Sequence, residues 1–202
     1  MSSDHRRQEA GSSVVEVMVT LALLAIVLTI FSTAMVVMFN RVHTAERRSE
    51  SNDAVRLAIQ ELDRQVRSGN VIHDPAEDAG MSLRIYTQTN APTATEESRC
   101  VEWRVDAGRL QTRSWSKDYP ALESWVTGWR TVAEHLKNDA TDRPAFAFDN
   151  AQLAFGQRIV QVSFLVNRDE RAGSNTEVSA SLTGRNVQFG YPLTLCQTPP
   201  PE

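Results

Sequence analysis

The side chains of this 202-residue chain that could bind a metal or move a proton are four histidines, two cysteines and 25 carboxylates. His5, His43, His73 and His135 stand apart, and none has another His or a Cys at metal-ligand spacing. No HExxH, GxSxG, phosphate loop or GxGxxG is present, so an enzyme is not expected. Asn138, Asp139, Asp142 and Asp149 could offer oxygen ligands to calcium. They lack EF-hand spacing and a turn glycine, so a solvated acidic loop is the favoured reading and no cofactor is expected. The four tryptophans, with Arg104, Arg113 and Arg130, could form a platform for single-stranded nucleic acid, where stacking contributes about 1 to 3 kcal/mol per base. Core packing is favoured over it, because large aromatic side chains commonly fill a small sheet. One carboxylate remains whose position is costly in itself, Glu16.

Glu16 lies near the start of Val14 to Phe39, 26 residues in which only Glu16, Thr20, Thr29, Ser32 and Thr33 are polar. As a helix, the run would be about 39 Å long, enough to cross a hydrocarbon core of about 30 Å. The apolar core of a cleaved secretory signal, about 7 to 15 residues, is shorter than this run. A carboxylate at the centre of a membrane helix costs about 2.5 to 3.5 kcal/mol and less near the interface, so it usually has a partner; the alternative is a Glu that snorkels to the headgroups.

The residues before it bear on that choice. Arg6-Arg7-Gln8-Glu9-Ala10-Gly11 followed by Ser12-Ser13-Val14-Val15-Glu16 resembles the prepilin leader of the type IV pilin and type II secretion pseudopilin superfamily. The resemblance implies cleavage by a prepilin peptidase between Gly11 and Ser12, N-methylation of Ser12, and a fifth mature residue, Glu16, that forms an assembly salt bridge. Ser12 stands where the family most often has Phe or Met. Thr33 stands where major pilins often carry a helix-breaking Pro, which leans toward a minor pilin or pseudopilin. The chemistry is coherent: cleavage exposes an amine at Ser12 one helical turn from Glu16, in a setting where neither charge is comfortable alone. Between axially offset helices, pairing would select register more than add stability. Arg6 and Arg7 precede the span while Arg41, Arg47 and Arg48 follow it, so charge does not orient it and an inside amino terminus rests on the resemblance.

No Pro or Gly interrupts the chain from Phe39 to Gly69, which predicts one helix over about residues 13 to 68. Asn40 to Ala54 is polar nearly all round, as in an exposed neck, while Val55, Ile59, Leu62 and Val66 form a core-facing stripe. Gly69 suits a left-handed helix C-cap. Arg56 to Arg67 is similar to the helix end of J-type pseudopilins. After Asp74-Pro75 the period changes from 3.6 to 2. Ser82 to Thr87 reads as a strand, and Val101, Trp103 and Val105 lead through Asp106-Ala107-Gly108 into Arg109 to Trp115 as a hairpin. Val160, Val162, Phe164 and Val166 form one strand face, and Val178, Ala180 and Leu182 its partner. Trp125, Trp129, Val132 and Leu136 suggest a short amphipathic helix or turn.

The fold expected is α+β and pilin-like, a long amino-terminal helix packed on an antiparallel β-sheet head. Its parts would be a cleaved leader (1–11), a transmembrane and assembly helix (12–39), the helix continuation (40–69), a β-rich head (70–197) and a disordered tail (198–202). The resemblance places the head outside the cytoplasmic membrane, where Cys100 and Cys196 could form a disulfide closing a loop of about 95 residues, or stay as free thiols.

Formal charge −4 and pI about 5.6 argue against a protein that coats nucleic acid, and a mean hydropathy of −0.34 averages a nearly uncharged helix with a polar remainder. The resemblance implies a structural subunit of a type IV pilus-like or type II secretion filament, acting near its tip in assembly initiation. Its partners would be the prepilin peptidase, other major and minor pilins or pseudopilins, the inner-membrane assembly platform and membrane lipid. The alternatives are a DNA-binding subunit of a competence filament and a plain single-pass anchored protein.

Overall fold

The first element among the described residues is a helix of 55 residues, α1 (Val14–Ser68). The computed structural model describes residues 14–87, 98–121, 125–149, 159–167, 175–184 and 190–201. These fall into two compact units, Met1–Glu46 and Arg47–Glu202. The first is the apolar part of α1 and the charged turns after it, every large apolar side chain from Val14 to Phe39 being exposed.

The second unit is α+β. From Ser51 onward α1 turns one face inward, with Ser51, Val55, Ala58, Leu62, Gln65 and Val66 buried and Ile59 packed at the margin. The inward face thus begins one turn before the stripe read from the sequence and includes Ala58, whose small side chain lets the helix approach the sheet closely. β1 (Gly69–Ile72), β2 (Ser82–Thr87), β3 (Arg99–Asp106), β4 (Arg109–Ser116) and β5 (Arg130–Glu134) form an antiparallel sheet in that order. β6 (Phe146–Phe148), β7 (Ile159–Val166) and β8 (Thr176–Thr183) form a second antiparallel sheet. The head therefore holds two sheets where one was expected. Leu136 bridges to Val166, and His135 and Lys137 exchange backbone hydrogen bonds with Asn167 and Leu165, tying the segment after β5 to β7.

The β3–β4 hairpin turns at Ala107 and Gly108, both with positive φ, 46° and 74°, as a two-residue turn matched to strand twist requires. Gly69 departs from its expected role: it is not left-handed but starts β1, paired with Thr87. A Cβ there would lie 2.9 Å from Ile85 Cγ2, so close packing against the neighbouring strand is what calls for glycine. The expected helix or turn over Trp125 to Leu136 is also corrected: Arg130–Glu134 is a strand on β4, and Val126 bridges to Trp115. The i, i+4, i+7 coincidence there has no helix beneath it, because backbone pairing with the free edge of β4 decides the conformation.

The main core joins α1 to both sheets through Leu62, Ile85, Trp103, Leu110, Val160 and Phe164, with Phe146 meeting Phe164 edge-on at 5.6 Å between ring centroids. A smaller cluster of Val71, Tyr86, Cys100, Trp115 and Cys196, flanked by Tyr119, Tyr191 and Leu195, is separate from it. Alternation along β3 separates the two: Val101, Trp103 and Val105 join the main core, and Cys100 the smaller cluster.

Candidate functional site

Glu16 lies in the first turn of α1. The threonine hydroxyls that follow it in the apolar run are satisfied within the helix. Thr20 Oγ1 donates to the carbonyls of Glu16 (3.0 Å) and Val17 (2.9 Å), Thr29 to Ala25 (2.7 Å) and Thr33 to Thr29 (2.7 Å). A threonine that folds back on a carbonyl of its own helix offers hydrocarbon no unmet donor. Glu16 is then the one ionisable group between Val14 and Phe39. The helix is long and apolar enough to cross a membrane. Gly11 and Ser12 lie outside the described residues.

Cys100 and Cys196 form a disulfide, with 5.5 Å between their Cα atoms and a sequence separation of 96. Cys100 sits mid-sheet on β3, so the bond lays the carboxy-terminal segment across the β1–β5 sheet. Three side chains hold that segment by its carbonyls. His73 Nε2 lies 2.7 Å from the Leu195 oxygen, Arg84 Nη1 donates to the Gln197 oxygen, and Arg113 Nη1 donates to the Pro201 oxygen at 3.4 Å. The tail expected to be disordered is thus placed as far as Pro201, with Pro200 buried. The missed signal lay in the strands: Arg84, Glu102 and Arg113 are charged residues in three adjacent strands, all more than nine-tenths buried. Such charges need partners. Arg113 meets Glu102 at 2.8 Å, and Arg84 meets Glu77 at 3.0 Å and Asp78 at 3.4 Å. Burial lowers the pKa of His73, the Leu195 carbonyl opposes that shift, and nearby Arg84 adds to it.

The arginines considered for nucleic acid are engaged within the head. Arg104 and Arg113 lie over the Trp129 ring at 3.8 and 4.3 Å from its centroid, Arg113 also pairs with Glu102, and Arg130 pairs with Glu61 at 3.2 Å. Trp103 and Trp115 are core residues. The acidic loop is likewise occupied. Asp139 Oδ1 accepts from the backbone N–H of Asp142 (2.7 Å) and Thr141 (3.0 Å), which lowers the pKa of its carboxyl, while Asn138 bridges to Arg143, Ser163 and Leu165. Among the described residues no three His, Cys, Asp or Glu side chains converge as metal ligands do.

No family model matches this chain, and no curated protein matches it.

Proposed function

We propose that this chain is a minor pilin or pseudopilin, a structural subunit of a type IV pilus-like or type II secretion filament, cut after Gly11 and held in the cytoplasmic membrane by Val14 to Phe39. The observation that carries the reading is Glu16, one carboxylate in the first turn of an uninterrupted apolar helix whose threonine hydroxyls are bonded internally. Cleavage would place a new amine within one turn of it, and in hydrocarbon the two charges are best relieved by pairing, within a subunit or with an axially offset neighbour. The disulfide supports an extracytoplasmic head, because such bonds persist in oxidising compartments. An α+β unit behind a long amino-terminal helix is compatible with a pilin-like subunit, and the head's role would be contact with other subunits near the filament tip.

Coexpression of the full chain with a prepilin peptidase tests the reading. Intact mass should fall by about eleven residues, a cut shorter than ordinary signal-peptide removal, and Gly11→Leu should block it. An unprocessed chain, or processing indifferent to Gly11, would leave a plain anchored protein.

A further inference from the structure

A cleft of about 400 Å³ opens in the head beside the carboxy-terminal turns of α1, where Glu61 and Gln65 face Arg99, Val101, Thr112, Thr127, Gly128 and Arg130. Most of its polar lining is already satisfied. Gln65 Oε1 accepts from Trp103 Nε1 at 2.7 Å, Gln65 Nε2 donates to Glu61 at 3.3 Å, Glu61 takes both oxygens to Arg130 at 3.2 Å, and Thr127 Oγ1 bonds the backbone of Ser114. Arg99 is the exception. Its Nε is sealed from solvent and has no acceptor among the described residues.

Charge counting narrows what would satisfy it. Three guanidiniums line the cleft; Arg113 is matched by Glu102 and Arg130 by Glu61, which leaves Arg99, among the described residues, as the surplus positive charge. A half-buried guanidinium with a sealed, unmatched Nε is costly, and one carboxylate is the ligand that neutralises it with a planar, two-point hydrogen-bond match. The surroundings favour a protein as the source. Leu57, one helical turn before Glu61, is 64% exposed, and Trp125 and Val126, just before Thr127, are 46% and 43% exposed. Apart from Leu193 these are the large apolar side chains left open among the described residues of the head. A half-buried Arg with a sealed Nε, in a cleft whose lining at Thr127 and Gly128 follows an exposed Trp125 in the chain, has the Arg and Trp content of a protein-binding hot spot. The Trp103 and Trp115 rings that stacked bases would need are buried, and arginines lie over the Trp129 ring.

We infer that this cleft is a docking site for an acidic segment of another protein, which places a carboxylate on Arg99 and an apolar side chain against Leu57 or Trp125. The inference stands on the head alone and does not depend on the filament reading.

Fluorescence anisotropy on the full chain in neutral detergent tests it, with a labelled, blocked Gly-Leu-Glu-Leu-Gly peptide, its Gly-Leu-Gln-Leu-Gly counterpart and an oligothymidylate as probes. The Glu peptide should bind about tenfold more tightly than the Gln peptide, and Arg99→Gln should abolish that preference without lowering the melting temperature, since no acceptor is lost. Gly128→Leu should weaken the Glu peptide with Arg99 intact. A Cβ at Gly128 meets no atom within 4 Å and its φ is not left-handed, so the change fills the cleft without strain. Equal binding of the two peptides, a preference that survives in Arg99→Gln, tighter binding of the oligothymidylate, or unfolding of Arg99→Gln would each overturn the inference.

Discussion

At the scale of single residues, the head is organised by charges placed where water is absent. Arg84, Arg113 and His73 act on the carboxy-terminal segment through its carbonyls, and the first two are held in turn by Glu77, Asp78 and Glu102. The carbonyl partners are far apart in the sequence, so none of them was legible there beyond the oddity of charges inside strands. His73 yields a pH prediction. Its folded pKa is lowered mainly by burial, so below the ordinary histidine value of about 6.5 the unfolded chain binds the extra proton first. Stability should therefore fall as pH drops through about 6.5 and stop changing on this account below the folded pKa. Urea midpoints measured between about pH 8 and pH 5 should show the decline in the native chain, and His73→Gln should remove this part of it.

At the scale of elements, the boundary between α1 and β1 is a packing event. The end of the helix was readable from Gly69, yet for a reason other than the one expected: the residue is extended and pressed against Ile85, with the Val66 and Gln65 carbonyls at 3.1 and 3.2 Å from a would-be Cβ. Gly69→Ala should cost about 1 to 3 kcal/mol, the range of overpacking, seen as a lower urea midpoint at unchanged slope. A true left-handed cap would respond differently, since Asn there would be tolerated far better than Ala. The strands that alternate cleanly, Ser82 to Thr87, the β3–β4 hairpin and β7, were legible because each has one face in an apolar core. β5 was not, being a short edge strand whose outward residues are polar and whose only instruction is the open side of β4.

At the scale of the whole molecule, the disulfide closes most of the head's sequence into one loop. Cys196→Ala should lower stability by up to about 4 to 5 kcal/mol, the chain-entropy value for a loop of this size. The same change should expose the Tyr86 and Trp115 cluster that the segment covers, read as increased binding of a hydrophobic dye. An unchanged urea midpoint would mean that the three carbonyl contacts alone hold the segment.

The amino-acid sequence alone determined the long helix, its apolar first half, the place of Glu16 and the strands that carry one apolar face. These are local periodicities, and 3.6- or 2-residue spacing survives without knowledge of the fold. Only the tertiary structure decided that the cysteines pair, that the strands divide into two sheets, that the last described residues lie across one of them, and that Arg99 has no counter-charge among the described residues. Each of these depends on groups tens of residues apart meeting in a low-dielectric interior, where a partner is worth most and its absence costs most.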